Sequence, residues 1–463
     1  MEEIFHRKIY DRLVEWKREH NGSTALLVEG ARRVGKSTVV EEFARNEYAD
    51  YLLVDFSKVG QDVRDVFASD IGHLDSFFRN LFLLMGKSIP ARDGLIIFDE
   101  VQLFPPARQA IKTLVADGRY HYIETGSLIS IKKNVQDILI PSEEKRIPMY
   151  PMDFEEFLWA TGDEVTAPAI REAFSARLPM GDAVHRKVMR KFREYMAVGG
   201  MPQAVAAFVS GATFHQVNVV KQGILELYGR DLEKFDKESR GKAAAAFRSI
   251  PEQLSHRGSR FHLATVSKSW RGAAARESLD FLEQAMVANP CVSVTEPDVA
   301  LEMAADREYF KLYMGDTGLL VTQALMNGVD SEGRIYKSLV LDNLGINQGL
   351  IVENLVAQVL AASGRGLYYH EFEYVSAADR DKARALDREP KPKPYEIDFL
   401  IVRGRRICPV EVKSSGYRAH KSLDCFIEKY ADHKIAEKFV LHTKDLRFEN
   451  GVLYLPLYMA MCL

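Results

Sequence analysis

One stretch constrains the fold more than any other. Gly30-Ala31-Arg32-Arg33-Val34-Gly35-Lys36-Ser37 fits G-x-x-x-x-G-K-[ST] and follows the apolar run Ala25-Leu26-Leu27-Val28. A strand that ends in a glycine-rich turn and opens a helix belongs to an α/β arrangement, with the helix N-terminus aimed at an anion. Gly30 and Gly35 let the backbone wrap closely around phosphate, Lys36 reaches for the β- and γ-phosphates, and Ser37 offers its hydroxyl to Mg²⁺. Arg33 and Thr38 complete the expected nucleotide-binding set. The ligand this implies is ATP with Mg²⁺.

Further along, Tyr51-Leu52-Leu53-Val54-Asp55-Phe56 reads as a second buried strand and Gly94-Leu95-Ile96-Ile97-Phe98-Asp99-Glu100 as a third. Strand ends are often acidic because they are solvated. An apolar strand ending in Asp-Glu downstream of a phosphate loop has a sharper meaning. Asp99 is placed to hold the Mg²⁺ shell and Glu100 to orient and deprotonate the attacking water. A fourth strand, His121-Tyr122-Ile123-Glu124, runs into Thr125-Gly126-Ser127, polar residues expected between the acids and the γ-phosphate, with Ser127 as the sensor. Strands alternating with helical stretches such as 107–116 give a parallel sheet with the nucleotide at the carboxyl ends of its strands. The pattern leaves strand order open.

At 463 residues the chain exceeds one hydrophobic core, and about 150 residues per domain suggests about three domains. With 47% hydrophobic and 27% charged residues it has the composition of soluble globular protein. A net charge of -3 gives no global reason to bind nucleic acid and leaves local basic patches as the route to it. The four cysteines are far apart without a C-x-x-C pair, which argues against a zinc knuckle or a disulfide framework. The N-terminus lacks the layout of a signal peptide, and no run approaches the ~18 apolar residues of a membrane span. The expectation is a cytoplasmic protein without a membrane partner.

Lys145-Arg146-Ile147-Pro148-Met149-Tyr150-Pro151-Met152-Asp153-Phe154-Glu155-Glu156-Phe157 resembles the R…L-x-P-L-S-F-x-E-F signature of an archaeal and bacterial group of AAA-type ATPases whose C-terminal half long had no assigned function. Gly199-Gly200-Met201-Pro202, Lys311-Leu312-Tyr313-Met314-Gly315-Asp316-Thr317-Gly318-Leu319-Leu320 and Gly349-Leu350-Ile351-Val352-Glu353-Asn354 are similar to phrases of the same family, in the same order. Met149 and Met152 stand for the family's leucines and Asp153 for its serine. The resemblance implies that Arg146 reaches a γ-phosphate, in cis or from a neighbouring subunit of a homo-oligomer. The plainer alternative is a surface arginine paired with Glu143 or Glu144.

On this reading residues 1–160 form the P-loop AAA-type ATPase domain and 161–240, rich in Ala, Arg, Lys and Glu at helical spacing, a helical lid. Arg230 and Asp231 match a family helix phrase and read most simply as a helix-surface salt bridge. Residues 241–330 look like a winged helix, with β-prone runs at 285–294 and 310–313. Lys268, Arg271 and Arg276 are its candidate DNA phosphate contacts, and protein docking is the alternative.

Residues 331–463 carry a second constellation. Glu396-Ile397-Asp398-Phe399-Leu400-Ile401-Val402 is a strand with an early acid, and Ile407-Cys408-Pro409-Val410-Glu411-Val412-Lys413 ends in E-x-K, whose Glu411 and Lys413 share one face by strand alternation. The layout resembles the PD-(D/E)XK nuclease core of restriction-endonuclease-like α/β domains. That resemblance implies a second divalent metal on Asp398 and Glu411, a lysine acting on water, and Glu353 as the helical acid. Prolines and mixed charge between Tyr374 and Tyr395 read as a mobile loop beside it. Two functions remain open: an ATPase driving a nucleic-acid-binding or nuclease-like module on DNA or RNA, and a nucleotide-gated protein-interaction switch on a catalytically inactive nuclease-like scaffold. A nucleotide kinase fits least, because Asp99-Glu100 is arranged for water.

Overall fold

The computed structural model describes residues 4–126, 142–235, 241–255, 260–262, 273–325, 338, 348–416 and 418–463. Its N-terminal part runs α1 (Ile9–His20), β1 (Ala25–Glu29), α2 (Lys36–Glu47), β2 (Asp50–Asp55), α3 (Gln61–Ser69), α4 (Leu74–Met85), β3 (Gly94–Asp99), α5 (Pro105–Asp117), β4 (His121–Gly126) and β5 (Glu144–Pro148). The four apolar runs and the charged edge strand β5 form a parallel sheet in the order β2-β3-β4-β1-β5. Every position of β3 and β4 is buried, as expected of strands covered by helices on both faces. Alternation along β1 sends Leu26 and Val28 into one core and Ala25 and Leu27 into the other. Because β4 lies between β1 and β3, Thr125 sits opposite Val28, between the phosphate-loop strand and the strand carrying Asp99.

Helices follow: α6 (Phe154–Ala160), α7 (Thr166–Ala176), α8 (Asp182–Val198), α9 (Pro202–Val209) and α10 (Phe214–Phe235). Asp153 caps α6 by accepting from the Glu156 N–H, while the Glu156 carboxylate takes the Asp153 N–H. Aspartate performs this capping-box role as well as serine does, so the departure from the family's serine is conservative in function.

The rest of the chain runs α11 (Lys242–Ser255), α12 (Ala273–Gln284), β6 (Ala288–Val294), β7 (Ala305–Met314), α13 (Thr317–Leu325), α14 (Gln348–Ala362), β8 (Leu367–Tyr374), α15 (Ala377–Ala385), β9 (Lys393–Ile397), β10 (Phe399–Arg403), β11 (Arg406–Val412), α16 (Lys421–Lys429), β12 (Phe439–His442), β13 (Arg447–Glu449) and β14 (Val452–Pro456). Here strand pairing crosses the expected boundary at 330, β6 being hydrogen-bonded to β8. Strands β6 and β7, expected as a wing, belong to a sheet ordered β7-β6-β8-β9, with β6 antiparallel to β7 and parallel to β8. A strand hydrogen-bonded on both sides, with Cys291 and Val294 buried, is a sheet interior and not a free hairpin. Lys268 and Arg271 lie outside the described residues, and Arg276 is exposed on α12.

The strand expected over 396–402 is broken at Asp398. β9 pairs with β8, whereas β10 pairs with β11 in a second sheet ordered β10-β11-β12-β14-β13. The expected mobile loop between Tyr374 and Tyr395 contains α15, capped by Ser376. One apolar core runs from Leu26 through α8 and α14 to Leu463, joining the phosphate-loop face of the first sheet to the C-terminal sheets. Among the described residues no helix is long and apolar enough to cross a membrane.

Candidate functional site

The phosphate loop leaves β1 and enters α2. Gly35 caps α2 at φ 96°, a left-handed conformation that favours glycine, and a Cβ on Gly30 would meet the Met149 carbonyl. Lys36 is only 7% exposed, and its Nζ donates to the Gly30 and Ala31 carbonyls, each at 3.0 Å. Burial pushes its amine down to about 8, against the pull of Glu100 and Asp99. Ser37 Oγ donates to Asp99 Oδ1 at 2.7 Å, and Thr125 Oγ1 donates to the same oxygen. Glu100 sits at φ 54°, an uncommon conformation for a side-chain-bearing residue, and the Gln102 amide donates to its carboxylate. A cavity of about 560 Å³ opens here, lined by Arg7, Arg33, Lys36, Thr38, Glu100 and Pro202 among others.

The hydroxyl of Ser37 and the carboxylate of Asp99 are hard oxygen donors of the kind Mg²⁺ takes. Among the described residues no group of three or more His, Cys, Asp or Glu could hold a metal. That is compatible with Mg²⁺ here, since this ion commonly completes its shell with nucleotide phosphates and water.

Sequence reasoning missed Arg7. It is buried, donates from Nη1 to the Val34 carbonyl at 2.8 Å and from Nη2 to the Tyr150 carbonyl at 2.7 Å, and pairs with Glu156 at 3.1 Å. The signal available was Glu156 itself, one of three acids in Asp153-Phe154-Glu155-Glu156-Phe157. Asp231 also departs from expectation. Arg230 pairs with Glu226 on the helix surface, but Asp231 takes both hydrogen bonds of Arg32 Nη1, at 3.0 and 2.9 Å, and Tyr228 donates to the Arg32 carbonyl at 2.8 Å. Helix α10 therefore clasps the phosphate loop.

Arg146 is not among the residues lining the cavity. It stands on edge strand β5 opposite Leu27, and its Nε donates to Glu144 at 2.9 Å. Glu144 is buried and also receives Arg108 through two bonds of 2.8 and 2.7 Å. The plainer pairing, with Glu144, is the one the fold presents. Ser127 lies outside the described residues, and Thr125 stands two positions before it near the end of β4.

The C-terminal candidates do converge. Asp398, at the break between β9 and β10, accepts from the Val412 N–H at 2.6 Å. Glu411 pairs with Lys413 at 2.5 Å and accepts from the Leu423 N–H of α16 at 3.3 Å. Glu353, on α14, accepts from Lys311 at 3.2 Å and from the Tyr313 hydroxyl, and Lys311 also reaches Glu396 at 2.6 Å. Burial drives the Asp398 carboxyl well above its ordinary range, and Glu353, Glu396 and Glu411 push the same way while Lys311 opposes them. Burial alone would lower the Lys413 amine, yet Glu411, Asp398 and Glu353 raise it. Lys311, Tyr313 and Glu396 were not foreseen. For Lys311 and Tyr313 the signal was period-two spacing on one strand, which places the pair on one face, and Glu396 stands on β9 two positions before the break at Asp398.

Residues 22–158 match the family described as an AAA domain, 189–331 a domain of unknown function (DUF8612), and 348–459 another (DUF4143). No curated protein matches the chain. Among solved structures, a Signal Transduction ATPase with Numerous Domains protein with a tetratricopeptide repeat sensor, from Pyrococcus horikoshii, is similar at 12% identity and a TM-score of 0.26 over 77% of this chain. The match covers 48% of that protein, so the chain spans about half its length. AMPPCP-bound DnaA from Aquifex aeolicus shows 14% identity over 61% of this chain and 85% of that one, with a TM-score of 0.24. Drosophila ORC bound to DNA shows 11% identity over 72% and 95%, with a TM-score of 0.26. Residues 22–158, which hold the phosphate loop, Asp99 and Glu100, are thus similar to an AAA domain.

Proposed function

We propose that the chain binds ATP with Mg²⁺ in the cavity between the phosphate loop and Pro202, hydrolyses it, and passes its nucleotide state to the C-terminal acid-and-lysine site, which acts on nucleic acid. The observation that carries the ATPase reading is the meeting of the Ser37 and Thr125 hydroxyls on one Asp99 oxygen, in a site shared with Lys36 and Glu100. Lys36 would give up the Gly30 and Ala31 carbonyls for phosphate oxygens. Glu100 would take the proton of the attacking water, held in aim by Gln102. Ser37 and Asp99 would hold Mg²⁺, which neutralises charge on the transferring phosphoryl group when bound. Arg33 and Thr38 line the same cavity and support the nucleotide reading. Arg146, paired with Glu144, would serve this chemistry by leaving that pair, in cis or from a neighbouring copy.

The test separates binding from chemistry. Lys36→Ala is expected to abolish ATP binding, and Glu100→Gln to bind ATP but not turn it over. Turnover by Glu100→Gln at the parent rate removes Glu100 as the base.

For the C-terminal part, the convergence of Glu353, Asp398, Glu411 and Lys413 supports a nuclease-like site within 331–463, completed by β6 and β7 from the expected winged-helix segment. A second reading, the nucleotide-gated switch on an inactive nuclease-like scaffold, is favoured by the hold of Lys311 on Glu353. DNA or RNA incubated with Mg²⁺ or Mn²⁺ separates the two. Cleavage lost in Asp398→Ala and Lys413→Ala supports nuclease action, and no cleavage by the parent supports the scaffold.

A further inference from the structure

The C-terminal acids already have a cation of their own. Lys311 rises from β7, an element outside the acid-bearing strands, and is fully buried. Its Nζ stands 3.2 Å from Glu353 Oε1 and 2.6 Å from Glu396 Oε1. Tyr313, two residues on and on the same face of β7, donates to the same Glu353 oxygen. Lysine is almost never fully buried unless paired, and a desolvated ammonium is tolerated only where carboxylates answer it.

The charges divide into two sets. Lys413 answers Glu411, Lys311 answers Glu353 and Glu396, and Asp398 leans on the Val412 N–H between them. The nuclease-core resemblance implies a divalent ion on Asp398 and Glu411 with Glu353 as the helical acid beside them. In this fold the helical acid is taken: one of its oxygens receives two donors, one of them positively charged. That oxygen of Glu353 is not open to a divalent ion while Lys311 is in place.

We propose that Lys311 is the resident cation of the C-terminal site, its ammonium occupying the place on Glu353 that a divalent ion would need, so that metal binding there requires Lys311 to withdraw. The inference rests on reading Glu353, Asp398 and Glu411 as one site, and it does not depend on cleavage. It explains why a strand from the preceding segment is built into this sheet: β7 delivers the counter-charge.

The probe is Mn²⁺ alone, titrated into the full chain and followed by calorimetry and by the electron paramagnetic resonance of free Mn²⁺. Lys311→Met keeps the length and removes the charge, Lys311→Arg keeps the charge, and Lys311→Met with Asp398→Asn removes the cation and one acid. The expected result is at least a tenfold gain in Mn²⁺ affinity for Lys311→Met, parent-like weak binding for Lys311→Arg, and loss of the gain in the double variant. Equal Mn²⁺ affinity in the parent and Lys311→Met overturns the proposal. Thermal melting guards against a folding artefact: where Lys311→Met melts early, Mn²⁺ must restore it and must not restore the double variant. A Lys311→Met chain left unfolded by Mn²⁺ also overturns it. Cleavage of DNA or RNA by the same samples separates the two ideas. A Mn²⁺ gain without cleavage in any variant rejects nuclease action and keeps the resident cation. Cleavage by the parent with no gain in Lys311→Met does the reverse.

Discussion

Lys36 carries a charge that the folded, nucleotide-free chain does not favour. Its amine lies at about 8 because burial outweighs Glu100 and Asp99, whereas in the unfolded chain it returns to the ordinary lysine range near ~10.4. The sign follows from proton counting. Between these values the unfolded state binds more protons, so stability rises with pH there, and below about 8 the charged amine opposes folding in full. A difference of roughly two units corresponds to about 3 kcal/mol. Lys36→Met is therefore expected to melt no lower than the parent without nucleotide, and to lose the rise in melting temperature that ATP and Mg²⁺ give the parent. A variant clearly less stable than the parent contradicts this account of the buried charge. The same amine sets a pH dependence for binding. ATP affinity should fall as pH rises through about 8, because the neutral amine no longer attracts phosphate. Dissociation constants that stay level from pH ~7.5 to ~9.5 would show that Lys36 does not supply this attraction.

At the scale of elements, the turn between α8 and α9 decides how the phosphate loop is enclosed. Gly200 exchanges backbone hydrogen bonds with its surroundings: its carbonyl accepts from Met152 at 2.7 Å and its N–H donates to Asp316 at 2.6 Å. A Cβ at Gly200 would drive into the Met152 backbone, which cannot swing aside as a side chain could. Gly200→Ala is expected to destabilise by about 1–3 kcal/mol, the usual cost of overpacking, and to weaken ATP binding as Pro202 shifts from the loop. Melting curves and ATP titration check both halves, and an unchanged melting temperature would mean that the turn is slack. This turn also shows what a sequence displays and what it conceals. Strands β1 to β4 of the first sheet were legible because buried parallel strands read as apolar runs, while the charged edge strand β5 was not; Gly30-Ser37 with Asp99-Glu100 was legible because phosphate chemistry demands those residue types. The clasp of Asp231 on Arg32 joins residues 199 positions apart, and no local pattern distinguishes it from the helix-surface pairing of Arg230. Strand β6 presents the same apolar run at a wing as in the middle of a sheet, so periodicity could not choose between them. The break at Asp398 was hidden for a related reason: alternation continues through it while the pairing strand changes.

Across the whole molecule, the phrases scattered along the sequence meet in one place. Gly200 donates to Asp316, and Leu319 donates to the other oxygen of the same carboxylate at 2.9 Å. Thr317 donates to Gln358 of α14 at 2.7 Å. The Gln358 amide donates to the Tyr195 hydroxyl at 3.1 Å, and that hydroxyl donates to the Met152 carbonyl at 2.8 Å. Asn354 receives the Met314 N–H at 2.7 Å, next to Glu353 in the chain. Nearly all of these groups are buried, so each bond is costly to leave unmade. The network therefore connects the turn beside the nucleotide cavity to the helix that carries Glu353. Contact alone does not establish coupling, which is a difference in free energy between nucleotide states. The measurable form of the idea is amide hydrogen exchange along α14. ATP with Mg²⁺ should change protection across residues 348–362 in the parent. Gln358→Leu, which cuts the branch to Tyr195 without touching the nucleotide cavity, should shrink that response while leaving ATP affinity within about threefold, below the 5- to 150-fold of typical allosteric coupling. Protection of α14 that is indifferent to nucleotide in the parent would make the two sites independent tenants of one core. A full response retained in Gln358→Leu would move the route to Asp316 and Asn354 instead.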